Sequence, residues 1–345
     1  MTWAHAIIGC GRVAPNHADA FARVADCEVK WACDRDQDCA RGLSQQWAIS
    51  CWTTDVAEVF ADPEVASVSV AVDHAQHAPL ALAALRAGKH VLVEKPMAIS
   101  LGQADSMIAA AESADRLLAV VSQHRHDPLL RAIRSWLEAG LLGRAVACSV
   151  NLQCGRPPEY YSGSYWRGTW EGEGGSVLIN QAYHCIDLLV WLLGPLRIVG
   201  AAMDTLAMAD AMETEDTLVA AMQASSGALV ALTASGAAAN FWRTRFELCG
   251  TLGRLSFDID HPDTLHEVEG PPDLMAAVSA YRALPDDEPP TAGLNYYGVS
   301  HRRQIAEFVT AARGVGGVAV DGARARETLE TIRDIYRAAG APMWR

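Results

Sequence analysis

The sequence predicts an α/β protein in which an N-terminal doubly wound parallel sheet is followed by a C-terminal α/β domain with a large, mostly antiparallel open sheet. Short apolar segments alternate with amphipathic helical segments up to about residue 122. Beyond that point strands follow one another with few helices between them, and 345 residues suit about two domains. We therefore expect a first domain over 1–122 and a second over 123–345, with the C-terminal helices able to pack back on the first.

The predicted strands of the first domain are short, mostly β-branched and bounded by Gly, Asp or Pro. They are Ala4–Ile8, Cys27–Cys33, Ser67–Val72, His90–Glu94 and Leu117–Val121, with helices predicted between them over Asn16–Val24, Gln37–Trp47 and Pro79–Ala87. Repetition of strand, helix and strand at this spacing implies parallel pairing with right-handed crossovers. These segments predict a doubly wound sheet.

The second domain begins with a predicted helix and continues with six predicted strands and two late helices. In chain order these are Pro128–Ala139, Arg144–Cys154, Leu196–Asp204, Asp216–Ala224, Gly227–Ala234, Thr244–Cys249, Arg254–Asp258, Gln304–Ala312 and Arg324–Ala338. Turn residues at 225–227 and 250–253 predict hairpins and hence antiparallel pairing. The charge-free stretch 217–242 could span a bilayer by length, but its polar residues favour two strands around a turn.

The composition narrows the class of protein. A net charge of −13 repels phosphate backbones and anionic membranes, although a local arginine cluster can still attract a small anionic substrate. The nine cysteines form no C-x-x-C pair, and no His, Asp or Glu set has the spacing of metal ligands. The start of the chain lacks the pattern of a secretory signal. We expect a soluble cytoplasmic protein with no nucleic-acid partner, no membrane partner and no metal.

A glycine motif follows the first predicted strand and opens a helix. It reads Gly9-Cys10-Gly11-Arg12-Val13-Ala14, the pattern G-x-G-x-x-A, which permits a tight turn, close approach of a pyrophosphate and close helix packing. Asp34 ends the second predicted strand and can accept hydrogen bonds from ribose hydroxyls. This combination predicts dinucleotide binding. Asp34 favours NAD, whereas Arg35, which can stack on adenine or pair with a phosphate, leaves NADP open.

A charged pair ends the fifth predicted strand, in Gly88-Lys89-His90-Val91-Leu92-Val93-Glu94-Lys95-Pro96. Lys95 is one of three lysines in the chain, and ligands of open α/β sheets bind at the carboxyl ends of strands. Pro96 favours an extended conformation at Lys95, which helps to aim its side chain. On these residues alone, a surface salt bridge of Glu94 is the alternative.

The chain resembles the glucose–fructose oxidoreductase/inositol dehydrogenase (Gfo/Idh/MocA) family. The motifs that carry the resemblance are G-x-G-x-x-A at 9–14, A-G-K-H-V-L-V-E-K-P at 87–96, W-R-G-T-W at 166–170 and G-G-S-V-L-I-N-Q-A-Y-H-C-I-D at 174–187. With the C-terminal helices, they cover nearly the whole chain. The resemblance implies a Rossmann domain followed by an open-sheet domain that is often used for oligomerisation, here a homodimer or homotetramer.

The resemblance also implies roles for single residues. Lys95 is the catalytic lysine of the E-K-P motif, Glu94 and Pro96 shape the nicotinamide site, and His184 is the general acid/base. Asn180 stands where the family often has Asp, and its uncharged amide can orient a substrate hydroxyl but cannot relay a proton. Asn180 and His184 are one helical turn apart, so we expect both to face one cleft. Without the family, His184 also suits a core helix with one satisfied histidine.

Several other polar residues are weaker candidates. His77 is expected near the adenosine side of the cofactor, and Gln123 and Arg125 near nicotinamide or substrate, with a solvated turn as the alternative. The remaining candidates for substrate contact are Trp166, Arg167 and Tyr183, with Trp166 suited to stacking on a sugar ring.

Together these features predict an NAD(P)-dependent dehydrogenase that interconverts a secondary alcohol and a ketone. The expected substrate is a cyclitol, a sugar or a sugar conjugate, and Arg125 and Arg167 would suit the diphosphate of a nucleotide-linked sugar. Two alternatives stay open. One is a family member that retains its cofactor and uses transient oxidation for elimination or glycoside cleavage. The other is a non-catalytic dinucleotide-binding regulator, against which Lys95 and His184 argue.

Overall fold

The computed structural model describes residues 2–238, 241–285 and 289–342. The chain forms two compact units, one of residues 1–126 with 288–326 and one of residues 127–287 with 327–345. We call them the first and the second unit. The first unit therefore takes in a late segment of the chain as well as its start.

The first unit is built on a six-stranded sheet in the order β3-β2-β1-β4-β5-β6. All of its strand pairs are parallel. The strands are β1 (Trp3–Ile8), β2 (Cys27–Cys33), β3 (Cys51–Thr53), β4 (Val65–Val70), β5 (His90–Val93) and β6 (Leu118–Val120). This confirms the predicted doubly wound parallel sheet, and adds β3, which at three residues is too short to show a period in the sequence.

Helices cover both faces of this sheet. They are α1 (Ala14–Phe21), α2 (Gln37–Trp47), α3 (Val56–Ala61), α4 (His74–Arg86), α5 (Leu101–Ala114) and, from the late segment, α10 (Ser300–Ala312). α2 has the bounds that its amphipathic pattern predicted, and in the structure Asp36 caps it, accepting hydrogen bonds from the N–H groups of Asp38 and Cys39. One apolar cluster joins α1 and α2 to the sheet, and another joins α10.

The second unit carries a seven-stranded sheet in the order β13-β12-β11-β7-β10-β9-β8. Its strands are β7 (Ala145–Cys154), β8 (Leu196–Asp204), β9 (Thr217–Ala224), β10 (Leu229–Ser235), β11 (Trp242–Gly250), β12 (Arg254–Asp258) and β13 (Thr264–Glu269). Only β7 and β10 pair in parallel, which confirms the mostly antiparallel sheet. The charge-free stretch forms β9 and β10, and no helix in the described ranges is long and apolar enough to cross a membrane.

Alternation along the strands gives this sheet one buried and one open face. On β10, Val230 and Leu232 are buried, whereas Leu229 is 60% exposed. The second unit also contains the helices α6 (Pro128–Glu138), α7 (Glu159–Ser162), α8 (Tyr183–Leu193) and α9 (Pro272–Arg282), and α11 spans Gly322–Ala338. The sequence analysis missed α3, α5, α7, α9 and β13. A π-helical turn, Val177–Gln181, precedes α8.

Candidate functional site

The glycine motif lies between β1 and α1 in a conformation that its first residue makes possible. Gly9 has a φ of +94°, and a Cβ there would lie 2.3 Å from the carbonyl oxygen of Ala71 at the end of β4. The Gly9 N–H donates to the carbonyl oxygen of Cys33, 2.8 Å away, at the end of β2. The turn is therefore fixed by its two neighbouring strands.

The other two small residues of the motif meet different surroundings. A Cβ on Gly11 would meet no described atom within 4 Å, so this position is open on the side that the motif reserves for a pyrophosphate. Ala14 is fully buried and packs with Ile7 of β1 and Ala32 of β2. The small residue at this position lets α1 approach the sheet closely.

Three backbone N–H groups are left open where α1 begins. Within the described chain, the N–H groups of Gly11, Arg12 and Val13 donate no hydrogen bond, and Val13 caps the helix without a side-chain contact. Gly11 and the side chain of Arg12 are exposed, and Val13 is half-buried. Open N–H groups at a helix N-terminus attract anions, because they add to the positive end of the helix dipole. This turn can therefore hold a pyrophosphate.

Asp34 lies beside this turn with both carboxylate oxygens engaged. Its Oδ2 accepts from the N–H of Cys10 at 2.7 Å, and its Oδ1 accepts from the N–H of Asp36 at 2.9 Å. The side chain is half-buried and therefore held in one orientation, whereas Arg35 is exposed. A fixed carboxylate at this edge can accept hydrogen bonds from two neighbouring hydroxyl groups of a ribose.

Glu94 is a buried anion at the end of β5, directly before Lys95. Its Oε1 accepts from Nε2 of His17 at 2.9 Å and lies 3.7 Å from Nε2 of His301, and its Oε2 accepts from the N–H of Lys95 at 3.2 Å. Burial alone would raise the pKa of Glu94, but the hydrogen bond from His17 and the nearby imidazole of His301 outweigh it and hold that pKa well below its usual range. The carboxylate therefore fixes the backbone of the lysine.

The hydrogen bonds continue from Glu94 into the core of the first unit. Because the carboxylate only accepts, His17 donates from Nε2, and its Nδ1 accepts from the hydroxyl of Ser69 at 2.9 Å. Ser69 then accepts from Nε2 of His5 at 2.9 Å. Burial holds the pKa of His5 well below its ordinary value, which keeps this ring neutral.

The buried hydrogen-bond chain ends at an indole. Nδ1 of His5 accepts from the hydroxyl of Ser67 at 2.8 Å, and Ser67 accepts from Nε1 of Trp3 at 2.8 Å. An indole N–H only donates and the Glu94 carboxylate only accepts, so every bond between them points the same way. We use the name buried hydrogen-bond chain for six residues, in the order of their bonds: Trp3, Ser67, His5, Ser69, His17 and Glu94.

His17, Glu94 and His301 also form a set whose possible metal-ligand atoms all lie within 4.8 Å of one another. The expectation of no metal was based on sequence spacing, which cannot reveal this set because its members come from α1, β5 and α10. Both ring nitrogens of His17 already take part in hydrogen bonds. A hydrogen bond, not a metal ion, therefore accounts for the contact between His17 and Glu94 in this set.

His77 is buried under the peptide bond that follows Lys95. Its Nδ1 lies 2.7 Å from the carbonyl oxygen of Pro96, its Nε2 lies 3.2 Å from that of Val72, and the Lys95–Pro96 peptide bond is cis. Burial lowers the pKa of His77, against the effect of these carbonyl oxygens. Because both ring nitrogens face backbone oxygens, His77 holds the shape of this turn, and its cofactor contact stays a prediction.

Gln123 and Arg125 follow β6 at the same edge of the sheet. They are 3% and 4% exposed and therefore lie within the wall of this edge, not in a solvated turn. The Oε1 atom of Gln123 is buried and accepts no hydrogen bond from the described residues. It is available to a donor group of a ligand that reaches this edge.

In the second unit, the π-helical turn and α8 carry the predicted substrate residues. Asn180 lies in the π-helical turn Val177–Gln181 and His184 lies on α8, so a change in helix type separates the two residues, and their common cleft stays a prediction. In the first turn of α8, His184 is half-buried, whereas Tyr183 is fully buried. Tyr183 therefore packs inside the unit, and its substrate contact stays a prediction. Because neighbouring residues of an α-helix point in directions about 100° apart, the side chains of Tyr183 and His184 lie on different faces of α8.

Asn180 contacts a buried carboxyl group that sequence reasoning missed. Its Nδ2 donates to Oε1 of Glu173 at 2.5 Å, and Oε2 of Glu173 accepts from the N–H of Gly168 at 2.6 Å. A second buried carboxylate, Glu215, accepts from Tyr336 at 2.7 Å. Burial raises the pKa of Glu173 to about 7, and Glu215 adds to this effect, whereas Gly168, Asn180 and Arg167 oppose it. A titratable group thus lies one hydrogen bond behind Asn180.

Replacing Glu173 by Gln is expected to flatten the pH dependence of stability. The folded state holds the Glu173 proton more tightly than the unfolded chain, whose pKa is near 4.5, so this contribution is full below pH 4.5 and is lost as pH rises through about 7. Relative to the native chain, the variant should gain up to about 3 kcal/mol in free energy of unfolding over that interval. Urea unfolding at pH 5 and pH 8 measures this gain, and Glu171→Gln, an exposed acid of the same loop, is the control. Parallel pH profiles of Glu173→Gln and the native chain would contradict the assignment.

Trp166 and Arg167 lie on the segment that leads to Glu173, and both are half-buried. The Cζ atom of Arg167 lies 4.6 Å from the centroid of the Trp166 ring and 4.6 Å from that of Tyr160. The arginine of this segment thus contacts two aromatic rings, Trp166 of the segment itself and Tyr160. Sequence reasoning passed over Tyr160 and Glu173 because no spacing pattern connects them to the motifs.

Known families and proteins match both units. Residues 4–122 match the GFO/IDH/MocA family described as "Oxidoreductase family, NAD-binding Rossmann fold", and residues 130–256 match the GFO/IDH/MocA C-terminal domain. Inositol 2-dehydrogenase 2 of Saccharopolyspora erythraea is 30% identical over 270 residues, which cover 76% of this chain and 74% of that protein.

Two further relatives extend the comparison. The 1,5-anhydro-D-fructose reductase of Ensifer adhaerens is 32% identical over 202 residues, which cover 59% of this chain and 60% of the reductase. The crystal structure of the WlbA dehydrogenase from Bordetella pertussis, in complex with NADH and UDP-GlcNAcA, superimposes with a TM-score of 0.85 at 27% identity, covering 98% of this chain and 95% of that one.

Proposed function

Because the chain belongs to the GFO/IDH/MocA family of NAD-dependent oxidoreductases, we propose that it interconverts a secondary alcohol and a ketone on a sugar, a cyclitol or a conjugate of either. The observation that carries this proposal is the turn at 9–14, with open N–H groups at Gly11, Arg12 and Val13 beside the fixed carboxylate of Asp34. These residues suit the pyrophosphate and the adenosine ribose of NAD. When bound, the nicotinamide of NAD accepts or donates the hydride.

We assign proton handling to Lys95 and His184. Oxidation of an alcohol requires a base for the hydroxyl proton, and an imidazole can serve at neutral pH. His184 is only half-buried, so its ring can meet a ligand. The ammonium group of Lys95 would stabilise negative charge on the substrate oxygen, and Glu94 holds the backbone of this lysine in place. Asn180 would orient a substrate hydroxyl through its amide oxygen, because its Nδ2 is directed to Glu173.

The substrate class is supported by the relatives' named substrates, which are inositol, an anhydro sugar and a nucleotide-linked sugar acid. All three carry secondary hydroxyl groups on a ring. The half-buried Trp166 suits the apolar face of such a ring. We therefore propose a secondary alcohol on a ring as the reacting group. The substrate panel described below identifies the sugar or cyclitol that carries it.

Replacing Asp34 by Ser is expected to shift cofactor preference from NAD toward NADP. The native carboxylate can hold the ribose hydroxyls and repels a 2′-phosphate, whereas a serine removes the charge and can donate to the phosphate. The ratio of kcat/KM for NAD to that for NADP should fall at least tenfold. Asp36→Ser is a matched control, because Asp36 only caps α2 and serine is also a good capping residue. An unchanged ratio in Asp34→Ser would remove this role.

The proposed function is tested by nicotinamide absorbance with NAD and NADP. The panel contains inositols, neutral hexoses, amino sugars, uronic acids and UDP-sugars. We expect reduction of NAD with at least one ring alcohol. No reduction, with dinucleotide released when the purified protein is denatured, would favour a family member that retains its cofactor. No reduction and no dinucleotide binding would overturn the proposal.

We also propose that the chain works in the cytoplasm as a homodimer or homotetramer. All nine cysteines are free thiols, which suits a reducing compartment. The open face of the second sheet exposes 46% of Val219 and 60% of Leu229, and such apolar residues suit a subunit contact. Light scattering after gel filtration tests the assembly, and Val219→Lys should weaken it. A native chain that is monomeric at micromolar concentration would contradict this proposal.

A further inference from the structure

Five side chains of the second unit alternate between aromatic rings and guanidinium groups, and we call them the arginine–aromatic stack. Arg167 lies between Trp166 and Tyr160, with its Cζ atom 4.6 Å from each ring centroid. Arg156 lies between Tyr160 and Trp242, with its Cζ atom 4.7 Å and 4.5 Å from the two centroids. Both cations therefore share the Tyr160 ring. The distance between their two Cζ atoms cannot exceed the sum of the distances from each Cζ atom to the centroid of this ring.

Among the described residues, the two guanidinium groups have almost no acceptors. Across the described residues, neither Arg156 nor Arg167 forms an ion pair within 4.0 Å. Arg156 donates one long hydrogen bond, to Oε1 of Gln181 at 3.4 Å, and the guanidinium of Arg167 donates none to these residues. The Nε atoms of both are buried without a partner. Each guanidinium carries five N–H donors, so most of this donor capacity is unused.

In the described part of the chain, the neighbouring acidic side chains do not accept hydrogen bonds from these two arginines. Glu173 is close enough for Arg167 to influence its pKa, but both of its oxygens already accept hydrogen bonds, from Asn180 and Gly168. Asp260 accepts from the indole N–H of Trp242 at 2.7 Å and so supports a ring of the stack. Other arginines of this unit do find acids, as Arg245 does with Asp258. The stack thus holds two positive charges in a chain whose net charge is −13.

The stack adjoins the segment that carries the proposed acid/base residue. Gln181 accepts from Arg156 and donates to the hydroxyl of Tyr160 at 3.5 Å, and it lies three residues before His184. At the other end of the stack, Arg167 lies beside Glu173, which holds Asn180. A ligand that reaches Asn180 or His184 is therefore near these two cations.

We propose that the arginine–aromatic stack is a subsite for an anionic oxygen group of the substrate, a carboxylate or a phosphate, and that the substrate is accordingly an acidic sugar. This inference rests on the proposed oxidoreductase function. Stacking between rings fixes the plane of each guanidinium, and because both residues are only half-buried, a ligand can reach them. Planar guanidinium groups match carboxylate and phosphate oxygens through paired, charge-assisted hydrogen bonds. A neutral sugar would leave these donors unpaired.

The test compares D-glucose, D-glucuronate, D-glucose 6-phosphate, UDP-glucose and UDP-glucuronate, each with NADH in a thermal-shift titration and with NAD in the absorbance assay. We expect at least one acidic compound to bind tenfold more tightly than D-glucose. D-glucuronate and D-glucose 6-phosphate separate a carboxylate from a phosphate as the recognised group. Comparison of UDP-glucose with UDP-glucuronate separates recognition of the diphosphate from recognition of a sugar carboxylate.

Variants of the stack decide whether the arginines cause the preference. Arg156→Met and Arg167→Met keep an unbranched side chain against the rings and remove the charge. Each should lower the ratio of the affinity for the acidic compound to that for D-glucose at least tenfold. Arg167→Lys should retain part of it. The control is Arg243→Met, because Arg243 neighbours Trp242 on β11, is exposed and has its Cζ atom 5.2 Å from the Phe241 ring. Melting temperatures check that each variant folds.

The outcomes separate the two proposals. A native chain without preference for any acidic compound, or a preference that survives both methionine substitutions, would overturn the subsite. If neutral ring alcohols are nevertheless oxidised, the proposed function stands without the subsite. If no compound is oxidised but acidic compounds bind in an arginine-dependent way, the subsite stands and the oxidoreductase function falls.

Discussion

Lys95→Met is expected to lower kcat/KM about 10³-fold while leaving the affinity for NADH nearly unchanged. The substitution keeps the length of the side chain but removes the ammonium group that we assign to the substrate oxygen. The backbone contact of residue 95 with Glu94 does not depend on the side chain, so the turn should keep its shape. Steady-state kinetics with the best substrate of the panel, together with a fluorescence titration of NADH, measure both quantities.

The matched control is Lys30→Met, which removes another of the three lysines. Lys30 forms an ion pair with Asp62, Nζ to Oδ2 2.7 Å, at the start of the first unit. Solvent reaches this ion pair and screens it, so its loss should change neither the stability nor kcat/KM appreciably. If Lys95→Met stays within tenfold of the native chain, Lys95 has no catalytic role.

Gly9→Ala is expected to abolish dinucleotide binding and to destabilise the first unit together. A Cβ at this position would lie 2.3 Å from a backbone oxygen of Ala71, and its φ of +94° is strained for any L side chain. The expected loss in free energy of unfolding is about 2 kcal/mol or more. Urea unfolding and NADH titration measure the two effects.

Gly11→Ala separates binding from stability. A Cβ at Gly11 meets no described atom within 4 Å, so the free energy of unfolding should stay within about 0.5 kcal/mol of the native value. The same Cβ would stand where a pyrophosphate must approach the backbone, so NADH should bind at least tenfold more weakly. Equal stability of the two alanine variants, or full NADH affinity in Gly11→Ala, would contradict this description of the turn.

Local signals explain which parts of the fold could be predicted. The helix Gln37–Trp47 has a capping aspartate and a clear period, and its bounds were predicted as observed. The strand Cys51–Thr53 is paired only by its neighbour β2 and has no local signature. The parallel pairing of β7 with β10 joins segments about 80 residues apart, and a run of hairpins in the sequence predicts only antiparallel neighbours.

The candidate site divides in the same way. The glycine turn, Asp34 and the segment 94–96 lie next to one another in the sequence or at strand ends, so motifs could indicate them. His5, Ser67 and Ser69 could not be found, because their contacts arise only when β1 and β4 pair. The burial of Tyr183 could not be predicted either, because a motif identifies a helix but not the direction in which each of its side chains points.

The buried hydrogen-bond chain has a consequence for how this sequence can diverge. Its two ends have fixed polarity, since Trp3 can only donate and Glu94 can only accept, so each interior residue must do both. Losing one interior member, such as Ser69, leaves two buried groups orphaned, at a cost of about 1–3 kcal/mol for each. Substitutions at these positions are therefore epistatic: His5 and its two serines are expected to change together, or not at all.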